Sequence, residues 1–462
     1  MPSDEKPRAV LLGVQLPGVD DAAHAASLIE LGRLAKTLGL AVVAEISQKR
    51  SALAAAAVVG EGKLHELAQL TGGSGVIPSG VPAHRIRVGG KRVADEADAE
   101  DAVDPHPTEA AGDDVAAGAP AAAQATVVLV DHDISPSQAR NLERATGAEV
   151  LDRSAVILAI FQRHARSREA RLQVEIARLT YLAPRLREGG GGDRQSGGIG
   201  GKGAGESQIE LDRRKVRDRI AQLRRDLAAI KQDAATRRRR RADQPTVAIV
   251  GYTNAGKSSL MRALTSTNLL VADQLFATLD TTVRALQPET VPRILVSDTV
   301  GFIKKLPHDL VASFRSTLDA AREASLLLQV VDAADPDFPS QITVTTDVLA
   351  DIDAADLPRL LVLNKADKLD AAQRAALQSQ FPDALLLSAK SPDDVAALHA
   401  TIVTFFERDM IEEELLVPYT QQHLLGEIHS SCRVLGERYD EIGRHIQVRA
   451  HPAVVARLRA RA

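Results

Sequence analysis

Cysteine is almost missing from this chain. Cys432 is the only one in 462 residues, so no disulfide can form within the chain and no cysteine-based zinc site can be assembled. Tryptophan is absent and aromatic residues amount to 3%, which leaves too few rings for a platform that grips nucleobases by stacking. No apolar run approaches the roughly 18 residues that a membrane-spanning helix needs, and the N-terminal stretch has no secretory pattern. The expected location is therefore the cytoplasm, with peripheral membrane association left open, and the expected state is a monomer. His423, His429 and His445 lack the spacing of metal ligands and read as ordinary surface or interface residues.

A net charge of −4 conceals strong local asymmetry. Nine acidic residues and no lysine or arginine lie between Asp95 and Asp114. Such a segment buries too little apolar surface to offset the entropy of ordering, so 94–125 reads as a disordered acidic insertion. Lys202 to Arg241 is the reverse, with 14 basic residues against six acidic ones. Two stripes of apolar residues at 4-3 spacing precede and run through that region. Leu172, Ile176, Leu179, Ala183 and Leu186 form the first, and Val216, Ile220, Leu223, Leu227 and Ile230 the second. Between them Gly189–Gly205 contains ten glycines. The pattern predicts an antiparallel helical hairpin with a glycine-rich tip. Its charge suits a nucleic-acid backbone read through phosphate and shape, and Arg194, Lys202, Arg213 and Arg214 are the candidate RNA contacts. A solvated helix face accounts for part of the same charge.

Periodicity elsewhere predicts an α/β multidomain chain. Residues 1–164 alternate strands (9–16, 40–46, 126–130, about 150–151) with helices (22–37, 63–70, 135–146), a small α/β domain with a mainly parallel sheet. The basic hairpin follows at 165–244, then a nucleotide domain with a mainly parallel sheet at 245–408, then a small α+β unit at 409–462 with a helix over 424–435 and a short strand at 446–448. The phrase Val59-Gly-Glu-Gly-Lys63 suggests a phosphate loop but lacks the spacing, and reads as a turn into a helix.

The organising stretch is Gly251, Tyr252, Thr253, Asn254, Ala255, Gly256, Lys257 and Ser258, which fits G-x-x-x-x-G-K-[ST] between an apolar strand and a helix. Glycines let consecutive N–H groups face a phosphate, and the helix start adds positive potential. Lys257 is placed for the β/γ-phosphates and Ser258 for Mg²⁺. Further motifs follow in order, each just past a predicted strand. In Asp298, Thr299, Val300 and Gly301, the carboxylate would hold Mg²⁺ through water and the Gly301 N–H would bind the γ-phosphate. In Asn364, Lys365, Ala366 and Asp367, the aspartate can accept from guanine N1–H and its exocyclic amine together, whereas adenine would leave it unpaired. In Ser388, Ala389 and Lys390, the Ala389 N–H can donate to guanine O6. Phe276, Ala277, Thr278, Leu279 and Asp280 supply the first switch, where Thr278 is favoured as a magnesium ligand and Thr282 is held in reserve. The implied substrate is GTP, with Mg²⁺. Phe302 stands where many GTPases carry a water-orienting glutamine. It cannot make a hydrogen bond, so intrinsic hydrolysis is expected to be slow; Phe302 read as a packing residue predicts the same weak enzyme.

The order and wording of these motifs resemble the TRAFAC-class GTPases, and within them the HflX family, near the Obg group. Leu151-Asp-Arg-Ser154, Ile160-Phe-Gln-Arg-His-Ala165 and Glu206-Ser-Gln-Ile-Glu-Leu-Asp-Arg-Arg214 carry the resemblance beyond GTPases at large. It implies binding to the large ribosomal subunit, both ribosomal protein and RNA near the peptidyl-transferase region, with GTP binding and hydrolysis used to dissociate stalled or idle 70S ribosomes and the missing catalytic elements supplied by the ribosome. Lys202-Gly-Ala-Gly-Glu206 departs from the family's Arg-Gly-Pro-Gly-Glu, which loosens the tip without changing its charge. Thr281 replaces a common proline, which loosens the first switch. Two other functions fit the same residues: a GTPase of large-subunit biogenesis or RNA remodelling, and a regulatory adaptor for which GTP only sets conformation.

Overall fold

The computed structural model describes residues 6–77, 124–185, 204–239, 244–266, 275–276, 282–305 and 315–461. Residues 94–123 of the expected insertion and most of the glycine-rich tip lie outside these residues, whereas Ala125, expected within the insertion, is buried and donates its N–H to the Leu70 carbonyl at 3.0 Å.

The first sheet comprises β1 (Arg8–Gln15), β2 (Ala41–Lys49), β3 (Val127–Val130) and β4 (Glu149–Asp152), all parallel, in the order β2-β1-β3-β4. The period-2 alternation of strand side chains splits the central strands between two cores. Ala9, Leu11, Val127 and Leu129 face α1 (Asp21–Thr37) and α4 (Arg153–His164). Val10, Leu12, Val128 and Val130 face α2 (Glu61–Thr71) and α3 (Pro136–Thr146). With both faces covered, β1 and β3 read as unbroken apolar runs, as parallel strands do. Gly60 is the N-cap of α2, so Val59–Lys63 is a turn into a helix. The helix α4 was not expected. It starts immediately after a four-residue strand because Asp152 caps it, accepting from the Ala155 N–H at 2.8 Å.

Helix α5 (Arg168–Arg185) packs along the 36-residue α6 (Ala204–Arg239). Ile176 of the first 4-3 stripe and Leu223 of the second are buried. Helix α5 has a second apolar face, in which Val174 and Ala177 join the core of the first sheet.

The second sheet has six strands, β5 (Thr246–Gly251), β6 (Thr282–Ala285), β7 (Leu295–Asp298), β8 (Leu326–Asp332), β9 (Arg359–Asn364) and β10 (Leu385–Leu386), in the order β10-β9-β8-β5-β7-β6, with only the edge strand β6 antiparallel. Central β5 again serves two cores. Val247 and Ile249 pack on α7 (Lys257–Thr265) and α11 (Pro392–Glu407). Ala248 and Val250 pack on α8 (Arg315–Arg322) and α9 (Phe338–Asp351). A further helix, α10 (Ala371–Gln380), follows β9.

The terminal unit is an antiparallel sheet, β11 (Ile411–Pro418), β12 (Arg433–Tyr439) and β13 (Gly443–Ala450), in the order β11-β13-β12, backed by α12 (Leu425–Ser431) and α13 (Pro452–Arg459). The helix expected over 424–435 ends at Ser431, and Leu435 belongs to β12. Pairing with β13 overrides local helical preference there. Strand β11 was missed because its glutamates are poor strand formers; Glu413 and Glu414 instead meet Arg459 and Arg438 at 2.7 and 2.9 Å.

Candidate functional site

Strand β5 delivers its loop at the sheet centre, flanked by β8 and β7. Gly251 (φ 142°) and Gly256 (φ 94°) bracket it. A Cβ on Gly251 would stand 2.1 Å from the Val330 carbonyl oxygen, and one on Gly256 would stand 2.3 Å from Asn364 Nδ2. Space and backbone angle therefore both demand glycine at these positions. Helix α7 begins at Lys257 without a side-chain cap, which leaves its first-turn N–H groups directed at the loop, the arrangement that receives an anion.

Lys257 is buried and its Nζ donates to the carbonyls of Gly251 (3.0 Å) and Tyr252 (2.6 Å). Burial pushes its pKa down to about 8 against the opposing pull of Asp298. Ser258 Oγ donates to Asp298 Oδ2 at 2.8 Å, and the Thr299 N–H donates to Asp298 Oδ1 at 3.0 Å. A hydroxyl and a carboxylate converging in this way form a hard-oxygen donor pair that suits Mg²⁺.

The segment after β7 runs beside the loop. The Phe302 N–H donates to the Gly251 carbonyl (3.1 Å) and the Thr253 N–H to the Phe302 carbonyl (2.8 Å). Gly301 sits close against Thr253 and Lys257, since a Cβ there would meet the Lys257 Nζ at 3.0 Å. The Phe302 side chain is 2% exposed and packs with Val250, Leu318 and Leu349, so it is a core residue here. Its backbone, not its ring, borders the loop.

Asn364, at the end of β9, braces three loops. Its Nδ2 donates to the Ala255 carbonyl (2.9 Å) and its Oδ1 accepts from the Ala389 N–H (3.0 Å). That N–H, expected to meet guanine O6, donates to Asn364 in this structure. Lys365 (φ 65°) donates to the Asn254 carbonyl and to Asp332, both at 2.7 Å. Asp367 accepts from Lys390 Nζ (2.9 Å) and Ser388 Oγ (2.8 Å), and the Lys390 bond leads in holding its carboxyl below the ordinary range.

Other candidates are not gathered here. Ala277, Thr278, Leu279 and Asp280 lie outside the described residues, as do Arg194 and Lys202. Thr282 lies in β6 opposite Asp298. Phe276 is buried edge-on against Phe161 of α4, with ring centroids 4.7 Å apart. Arg213 and Arg214 lie on α6, where Arg214 pairs loosely with Asp218 and neighbouring Arg219 with Glu175. Among the described residues no cluster of histidine, cysteine and carboxylates could hold a metal, and no helix is long and apolar enough to cross a membrane.

Sequence reasoning missed a buried polar network that joins the two sheets. Arg153, 1% exposed, donates to Asp131 Oδ1 at 2.6 Å and to Glu30. Tyr252 Oη donates to Glu30 and accepts from the Lys304 N–H at 2.7 Å. Burial raises the Glu30 pKa despite Arg153. The only advance signal was the phrase Leu151-Asp-Arg-Ser154, noted for its wording and not for a role.

This fold, with glycine-bracketed loop, converging serine and aspartate, and strand-end Asn364–Asp367, is that of a P-loop GTPase joined to a parallel α/β region. The family model described as "50S ribosome-binding GTPase" matches residues 246–365, one described as "GTP-binding GTPase N-terminal" matches 25–77 and 108–162, and one described as "GTP-binding GTPase Middle Region" matches 164–241. Relatives named GTPase HflX are similar over long spans. That of Gluconacetobacter diazotrophicus is 60% identical, covering 98% of this chain and 97% of its own. That of Escherichia coli K12 is 41% identical over 73% of this chain and 82% of its own, and that of Spirochaeta thermophila is 44% identical over 71% and 80%. The chain belongs to the HflX family of GTPases. Membership carries GTP as substrate, its hydrolysis as the reaction, and the usual dependence on Mg²⁺.

Proposed function

We propose that this GTPase binds the large ribosomal subunit and uses GTP binding and hydrolysis to dissociate stalled or idle 70S ribosomes. The observation that carries the nucleotide half is the pre-set loop: Lys257 and Lys365 already bind the loop carbonyls, and Asn364 ties the base-side loops to it. Catalysis of phosphoryl transfer is largely positioning and charge stabilisation. The loop from Gly251 to Ser258 cradles the phosphates, Lys257 offsets their charge, the Gly301 N–H faces the γ-phosphate, and Asp367 reads the guanine edge. Ser258, and Asp298 through water, would hold Mg²⁺, with Thr278 (or Thr282) completing the set; bound there, the ion would supply positive charge to the transferring phosphoryl group. Phe302 offers no polar group to water, which supports a slow reaction until a partner orders the site.

The ribosomal half is supported by the family description "50S ribosome-binding GTPase" over 246–365 and by the basic surplus of the hairpin. The deciding experiment follows GTP turnover alone, with 50S subunits and with 70S ribosomes, while light scattering reports subunit separation. Strong stimulation with a fall in scattering is expected. Stimulation without separation would replace splitting by biogenesis or remodelling. No response of either would remove the ribosome as partner.

A further inference from the structure

Open parallel sheets take ligands beyond the carboxyl ends of their strands, at the point where the strand order reverses. In the first sheet that point lies between β1 and β3, since the chain passes from β1 outward to β2 and resumes on the other side with β3. The groups that would greet a ligand there are Ser27 on α1 and Asp131 immediately after β3. Ser27 Oγ donates to Asp131 Oδ2 at 2.6 Å. Asp131 is 1% exposed at its side chain, and its other oxygen is held by Arg153. The position is already filled. Lys305, from the segment that follows Asp298–Gly301, inserts its ammonium and donates to Asp131 Oδ2 (2.7 Å), Ser27 Oγ (3.0 Å) and the Asp131 carbonyl (3.2 Å). Those three acceptors match the three donors of an ammonium. Lys305 itself adopts φ 54°, a left-handed backbone that a non-glycine residue rarely holds without restraint.

We propose that the switch-point crevice of the first sheet is an internal docking site whose ligand is Lys305, which makes Asp131 a positioning residue for GTP hydrolysis. Two residues separate Lys305 from Phe302, whose backbone pairs with Gly251 and Thr253. Lys304 is held from the same side, by Tyr252 Oη through its N–H and by Asp337 through its Nζ at 2.6 Å. Docking Lys305 therefore anchors the segment that carries Gly301. Burial alone would raise the Asp131 carboxyl, yet Arg153 and Lys305 hold it below its ordinary value, so it meets the ammonium as an anion.

This inference rests on the proposed nucleotide site, and the experiment separates the two. With the full chain, kcat and KM for GTP are measured beside affinity for a fluorescent GDP. Lys305 is 45% exposed at its side chain, so Lys305→Met should fold normally. It should lower kcat by about threefold to tenfold, the range for one charge-assisted bond of partial exposure, with KM and GDP affinity within about twofold. Lys305→Arg should restore most of the loss. Asp131→Asn should lower kcat by a similar factor, and Lys305→Met/Asp131→Asn should be no slower than Asp131→Asn alone. Should Asp131→Asn fail to fold, Lys305→Met and Lys305→Arg decide. An unchanged or raised kcat for Lys305→Met, or effects that multiply in the double variant, overturns the proposal. Lys257→Ala is the control: if wild type shows no GTP turnover, or Lys257→Ala turns over like wild type, the nucleotide site falls and this inference with it. An inactive Lys257→Ala beside a normal Lys305→Met rejects the docking role alone.

Discussion

Lys257 is a buried ammonium with a pKa near 8, well below its ordinary 10.5, chiefly through desolvation. A displacement of that size corresponds to about 3 kcal/mol of unfavourable free energy in the charged form. The sign follows from proton linkage. Below pH 8 folded and unfolded chains both carry this proton, so the folded state bears the full penalty. Between about 8 and 10.5 the folded chain releases the proton first, and stability contributed by this group rises with pH. Bound nucleotide reverses the balance, because phosphate charge beside Nζ draws the pKa back up. Binding must therefore take up a proton wherever the free protein has lost it. At pH 8, with Lys257 half titrated, GDP binding should take up about half a proton, and at pH 7 about a tenth. Isothermal titration calorimetry in two buffers of different ionisation enthalpy gives that number directly. Lys257→Arg, whose guanidinium stays charged at these pH values, should show no uptake at pH 8 where it binds at all. Working at pH 8 also keeps the guanine base protonated. Zero uptake by wild type at pH 8 would refute the reasoning, either because Lys257 is not desolvated or because no phosphate approaches it.

If Asp367 reads the guanine edge as proposed, Asp367→Asn should weaken GDP binding by about 1–3 kcal/mol, roughly 5- to 150-fold, because the acceptor for two guanine donors becomes a donor in part. Equilibrium fluorescence titration reads this, and adenine nucleotides should gain nothing. Phe302→Ala should destabilise the chain by about 3–5 kcal/mol, as for other fully buried aromatics, seen as an earlier urea midpoint for the six-stranded unit. A loss under about 1 kcal/mol would mean that the ring is not the core element its 2% exposure indicates.

The parallel sheets were legible because their strands are covered on both faces, so Val247–Val250 and Leu326–Val331 stand out as apolar runs of strand length. The phosphate loop was legible because its glycines answer to steric demands, at Val330 and Asn364, that nothing else can satisfy. Strand β11 was not, since two of its three glutamates, Glu413 and Glu414, meet cations far along the chain, Arg459 and Arg438. The Glu30–Arg153–Asp131–Lys305 network was illegible for the same reason on a larger scale. Charged residues usually read as solvated surface, and only the docking of one sheet against the loops of the other brings these four together and buries Glu30, Arg153 and Asp131. For the Phe276 motif, read as a switch, sequence could not give the packing of the Phe276 ring on Phe161.

The end of β4 is where these connections converge. Two consecutive residues leave it in different directions. Asp152 accepts from Tyr181 Oη (2.7 Å) and Arg185 (2.6 Å) on α5, the first helix of the hairpin. Arg153 reaches Glu30 and Asp131, and through them Tyr252 in the phosphate loop and Lys305 beyond Gly301. Both side chains are almost fully buried, where leaving either partner uncompensated is strongly unfavourable, about 3–5 kcal/mol for a broken buried pair. Neither contact can therefore be given up cheaply. A hairpin that shifts relative to the first sheet must strain Asp152, and a phosphate loop that shifts must strain Arg153, and one peptide bond separates the two. The tetrapeptide Leu151–Ser154 is thus explained by geometry: its aspartate belongs to the hairpin, its arginine to the nucleotide site, and the sheet between them holds both in register.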